Sequence, residues 1–138
     1  MKAYYAVLLA LVLGVGCGGG KEKAAPEAEP KAKITPKPLP KDIPSLKVLA
    51  EKGDAYAQNN LGGMYENGEG VEKNHKEAFK WYSKAAEQNL APSQHNLGAM
   101  YFNGKGVEKD EKEAVKWFRK AAEQGYEPAK AALKEIEK

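Results

Sequence analysis

Apolar and small residues return every three or four positions along the chain beyond residue 45. Ala57, Leu61, Met64 and Tyr65 recur at i, i+4, i+7 and i+8, and Ser93, Leu97, Met100 and Tyr101 repeat that spacing, the one polar member being small. Such spacing places each set on one face of a helix. Ala78, Trp81, Tyr82 and Ala85, and then Ala114, Trp117, Phe118 and Ala121, form two more stripes, with Lys80, Lys84 and Glu87, or Lys116, Lys120 and Glu123, on the opposite face. The pattern predicts four amphipathic helices whose stripes, both tryptophans included, are core. Gly62 and Gly98 fall near the edge of the first-helix stripes, where a missing side chain lets a neighbouring helix come close.

The four helices are two copies of one unit. Ala55–Leu90 laid over Ala91–Tyr126 gives a period of about 36 residues, and that period belongs to paired-helix solenoids. The register continues on both sides: Ala50 and Glu51 fall under Ala86 and Glu87, and Leu133 and Ile136 under Leu97 and Met100. Two full repeats therefore stand between two half-repeats, in a folded part of about 95 residues from Ser45 to Lys138.

Each repeat carries a glycine-flanked loop, NGEGVEK at 67–73 and NGKGVEK at 103–109. A phosphate-binding loop needs its glycines to open directly onto a helix, usually after a strand, with a Lys and a Ser or Thr in place. Here Glu72 intervenes, no hydroxyl residue is present and no strand pattern precedes. The alternative is a turn: Gly68 ends one helix, and Asn74-x-x-Glu77, repeated as Asp110-x-x-Glu113, starts the next with a capping-box pattern. Val71 and Val107 then plug the space between helices.

The N-terminal part has another composition. MKAYYAVLLALVLGVGC opens with one Lys and an apolar run, too short for a stable membrane span, and reads as a secretory signal over residues 1–16. Cys17, the chain's single cysteine, lies between Gly16 and Gly18 and resembles the lipobox of bacterial lipoproteins, which implies acylation there and an anchored protein on the periplasmic side of a membrane in the bacterial envelope. From residue 17 to 44 the Pro, Lys, Glu and Ala content is too polar to offset ordering entropy and predicts a disordered tether. Of the net charge of +3, Lys2 carries +1 and the tether +2, from six lysines against four acids, so the repeat domain is near neutral. Nucleic acid is an unsuitable partner for it.

The frame [AS]-x-x-x-L-G-x-x-Y-x-x-G-x-G-V, followed by K-E-A-x-K-W-[YF]-x-K-A-A, resembles the Sel1-like repeat, a relative of the tetratricopeptide repeat. The resemblance covers nearly all of Ser45–Lys138. It implies an all-α, right-handed superhelix of antiparallel helix pairs serving as a scaffold or adaptor for a protein or peptide partner. Cysteine-rich bacterial relatives, some associated with penicillin binding or β-lactamase activity, imply a rival, a cell-wall or β-lactam hydrolase; the repeats here contain no cysteine.

The residues themselves predict neither catalysis, metal nor cofactor. His75 and His95 stand without an H-E-x-x-H pair, an S-x-x-K nucleophile or a cysteine cluster. At about 100° per residue, the first-helix positions opposite the buried stripe are Asn59, Gly63 and Glu66, then His95, Ala99 and Phe102. In the superhelix that the resemblance implies they line a concave groove. Asn59, His95 and the adjoining Asn103 would hydrogen-bond a partner's backbone, beside Glu66, and Phe102 would anchor an apolar side chain.

Overall fold

Over residues 38–138, the part of the chain that the computed structural model describes, the apolar periodicity becomes six helices. They are α1 (Ile43–Glu51), α2 (Ala55–Asn67), α3 (His75–Glu87), α4 (Ala91–Asn103), α5 (Glu111–Glu123) and α6 (Glu127–Ile136). The signal-like segment, Cys17 and the tether up to residue 37 lie outside the described residues. Each helix packs on the next in sequence, most extensively α2 on α3 and α4 on α5. This is the all-α solenoid that the repeat predicts, with α1 and α6 as the two half-repeats.

The caps follow from the local sequence. Asp42, Asp54, Asn74 and Asp110 each accept backbone N–H bonds at the start of α1, α2, α3 and α5. In α3 and α5 the return half of the capping box is made elsewhere. The backbone N–H of Asn74 donates to the Tyr65 carbonyl (2.8 Å) and that of Asp110 to the Tyr101 carbonyl (2.9 Å), leaving Glu77 and Glu113 to pair with Lys80 and Lys116. Gly68 and Gly104 end α2 and α4 in the left-handed conformation, φ 74° and 66°.

The folded part begins before Ser45. Pro44 sits in the first turn of α1, where a missing N–H costs nothing, and Leu39 packs against the first core cluster, Leu46, Ala50, Ala57, Leu61 and Trp81. Residues 39–44, assigned to the tether from their prolines, are thus part of the domain. Leu61, Leu97 and Met100 are fully buried, each contributing about 1.5–3 kcal/mol. Trp81 is buried as expected. Trp117 is not: it is half-buried, with the Lys120 ammonium 4.0 Å from its ring centroid on the outer side, and Phe118 takes the central place in the second repeat.

The glycines near the stripe edge act as expected. A Cβ on Gly62 would lie 2.7 Å from the Tyr82 ring, and one on Gly98 2.9 Å from that of Phe118. The second glycine of each loop has a role that the turn reading lacked. A Cβ on Gly106 would stand 2.2 Å from the His75 carbonyl oxygen, and one on Gly70 2.6 Å from Ile43 Cδ1. Each loop is seated on the start of the preceding repeat's second helix, so it joins repeats as well as turning the chain. Val71 and Val107 are half-buried.

Candidate binding cleft on the first helices

The expected groove residues do not form one surface. Asn59 is half-buried, and its Oδ1 accepts from Ser93 Oγ (2.8 Å) and Asn96 Nδ2 (3.3 Å), tying α2 to α4. Glu66 accepts from the Tyr82 hydroxyl (3.0 Å) and pairs with Lys105 of the second loop at 3.6 Å. Burial, and then the Glu66 carboxylate, push the Tyr82 hydroxyl well above its ordinary pKa, so it stays a donor. His95, rather than facing away from partner helices, packs its ring against Phe118 (5.3 Å between centroids) and Tyr126 (5.6 Å). Phe102 and Ala99 are half-buried against the cluster around Phe118, with Lys109 Nζ 5.5 Å from the Phe102 ring. Asn103 is exposed and donates to the Ala99 carbonyl of its own helix (2.8 Å).

The shift has a physical cause. Gln58 and Gln94 are buried at 4% and 2% exposure. Gln58 Nε2 donates to the Ala50 carbonyl (2.9 Å) and its Oε1 accepts from Gln88 Nε2 (2.7 Å). Gln94 does the same with Ala86 (3.3 Å) and Gln124 (2.8 Å). With Gln58 inside, the buried arc of α2 turns toward Gln58 and Gly62, and the outward arc turns from Asn59 and Glu66 to Asn60 and Asn67. The repeated glutamines at 58 and 94, and at 88 and 124, were the sequence signal for this.

What the geometry does bring together is a cleft of about 400 Å³ lined by Asn59, Asn60, Gly63, Met64 and Asn67 of α2, the Leu39–Lys41 segment, Leu46, Glu69 and Tyr82. Three carboxamides face it beside Met64, Leu39 and Leu46. Gly63 lies over the Tyr82 hydroxyl, which a Cβ there would meet at 3.5 Å. Between them α2 and α4 carry one Asp, Glu, Lys or Arg, Glu66, and that one is already engaged. Among the described residues there is no group of three or more His, Cys, Asp or Glu placed to hold a metal ion. His75 and His95 each bury Nδ1 without a hydrogen-bond partner.

The family description "Sel1 repeat" matches residues 55–90 and again 91–126, the two repeats seen in the structure. A Sel1-like repeat-containing protein of Acanthamoeba polyphaga mimivirus is 47% identical over 45 residues, a match spanning 33% of this chain and 8% of that much longer protein. Among solved structures, a Sel1 repeat protein from Oxalobacter formigenes is 43% identical with a TM-score of 0.66, covering 67% of this chain and 70% of that one. Cysteine-rich protein B of Helicobacter pylori is 38% identical with a TM-score of 0.62, over 64% and 67% of the two chains. A protective antigen of uropathogenic Escherichia coli with the same type of fold is 49% identical with a TM-score of 0.59, over 59% of this chain and 18% of its own.

Proposed function

The chain belongs to the Sel1 repeat family, and from that premise we propose that it is a protein-interaction module, exported and lipid-anchored in the bacterial envelope, which holds an extended peptide segment of a partner in the α2 cleft. The observation that carries this reading is the lining of the cleft: Asn59, Asn60 and Asn67 of one helix beside Met64 and Leu39, with one lysine, Lys41, and one carboxylate, Glu69, among the lining residues. A carboxamide both donates and accepts. Asn60 offers both groups, Asn59 its Nδ2 (its Oδ1 is taken by Ser93 and Asn96) and Asn67 its Oδ1 (its Nδ2 donates to Glu69 at 3.0 Å) to the alternating N–H and C=O groups of an extended backbone, while Met64 and Leu39 offer contact to an apolar side chain. Exposed Asn103 is one repeat period beyond Asn67 and would extend the contact along α4. The hydrolase reading has no cysteine pair in either repeat behind it.

The cleft is tested by placing a photo-crosslinking residue at Asn60 of the full chain in its native envelope and identifying what it captures. Asn60→Ala with Asn67→Ala is then expected to abolish capture from a crosslinker at Lys41, with the helical circular dichroism unchanged; undiminished capture rejects the site. Anchoring is supported by the sequence around Cys17 alone. Cys17→Ser is expected to move the protein from the membrane to the soluble fraction, and a parent that takes up no fatty-acid label rejects it.

A further inference from the structure

α6 is the most lightly held of the helices in the two repeats and their C-terminal half-repeat. Only Ala129 of its side chains is fully buried, Leu133 and Ile136 are half-buried, and its N-cap residue, Tyr126, makes no side-chain capping bond. An element held by so few buried side chains opens at lower free energy than one with a full buried stripe. At its entry Tyr126 lies against His95 of α4, which also meets Phe118 of α5, so one imidazole stands where three helices join. Asn59, at the same position of the preceding repeat, holds its junction by hydrogen bonds to Ser93 and Asn96. His95 has no such bonds: its Nδ1 is buried and unpartnered between two aromatic rings.

We propose that His95 is an acid-sensitive latch: protonation of the imidazole at the α4–α5–α6 junction releases α6 and uncovers the apolar surface of Phe118, Leu133 and Ile136. A neutral ring fits among Phe118 and Tyr126, whereas an imidazolium must donate from both nitrogens, and Nδ1 is buried with no acceptor in reach. No carboxylate offsets that charge. α4 carries no Asp, Glu, Lys or Arg. Of the carboxylates on the helices packed around it, Glu77 pairs with Lys80, Glu111 with Lys109, Glu113 with Lys116, Glu127 with Lys130, Glu135 with Lys138 and Glu137 with Arg119, while Glu87 and Glu123 are exposed. Glu66 of α2 is held by Tyr82 and Lys105.

Burial holds His95 below its ordinary pKa of 6.5, so the folded junction favours the neutral ring. The docking free energy of α6 is therefore intact above that value and declines as pH falls through it toward the lowered value in the fold.

The test is amide hydrogen exchange on the full chain between about pH 8 and pH 5, corrected for intrinsic rates. The amides of α6 are expected to lose protection several-fold on acidification while those of α2 and α3 hold. In His95→Asn, which supplies the side chain that Asn59 has in the preceding repeat, the pH dependence should vanish; this separates His95 from His75, the other histidine. Protection of α6 that does not change with pH, or a pH dependence that survives His95→Asn, overturns the latch. So does an NMR titration midpoint for the His95 ring at or above 6.5 in the unaltered chain, a measurement that needs no variant to fold.

Discussion

Trp81 and Trp117 stand at the same position of two similar repeats and have different surroundings. Trp81 is 4% exposed and packs with Leu46 and Ala50 of α1 and Ala57 and Leu61 of α2. Its indole N–H is buried without a partner, a cost that the packing of the ring outweighs. Lys84 sits 4.6 Å over its ring as Lys120 sits over Trp117, but only for Trp117 is that lysine the cover of a half-buried side chain. Trp81→Ala should therefore cost about 3–5 kcal/mol and Trp117→Ala about 1–2 kcal/mol, the latter from partial burial and a cation–π contact. Urea denaturation measures both, and equal losses would show the two sites to be energetically alike. A second pair differs in the same manner: Tyr82 with Glu66 in the first repeat becomes Phe118 with Phe102 in the second. Both partners change together, so neither a lone buried hydroxyl nor a lone carboxylate is left against an apolar neighbour.

At the scale of elements, what could be read from the sequence and what could not divide by the range of the interactions. Helix starts at Asn74 and Asp110 and stops at Gly68 and Gly104 depend on residues a few positions apart, and the structure places them as the pattern implies. The start of α1 falls among residues that composition assigns to the tether; Pro44 stands in its first turn, where proline is compatible with the helix. The outward faces of α2 and α4 were missed by one position because hydropathy ranks glutamine as a surface residue. Gln58 and Gln94 are inside only because carbonyls eight residues earlier and amides thirty residues later satisfy them. Gly106 is a similar case. Its turn is visible in NGKGV, but the His75 carbonyl against which it rests is contributed by the preceding repeat, 31 positions away in the chain.

For the whole molecule, those glutamines set how far one repeat is coupled to the next. The carbonyl of Ala86, at the end of α3, is met by Gln94 Nε2 of α4, and Gln94 in turn is held by Gln124 at the end of α5. Asn89, the one described non-glycine residue with a positive φ (68°), joins the same group by accepting from Gln94 (3.1 Å) and Gln124 (3.3 Å). Gly53 and Gly125 hold its register position on either side and offer no such acceptor. The set therefore bridges three helices at the boundary of the two repeats, and in a quasi-one-dimensional array cooperativity depends on that boundary. Gln94→Leu keeps the volume but removes the Nε2 bonds to the Ala86 carbonyl, which retains the Asn89 N–H (3.0 Å), and to Asn89 Oδ1, at a cost of about 0.5–1.5 kcal/mol for each bond lost. Gln124, which is exposed, recovers its bond from water. The loss falls on the boundary and not within either repeat, so it should show as reduced cooperativity as well as reduced stability. Because each repeat has one tryptophan, Trp81→Phe and Trp117→Phe leave one reporter at a time. Within each single-tryptophan variant the fluorescence transition in urea, which reports one repeat, and the far-UV circular dichroism transition, which reports all the helices, are expected to coincide; with Gln94→Leu added they should separate. Transitions that stay coincident, with a lower shared midpoint, would place the coupling in the helix packing and not in the glutamines.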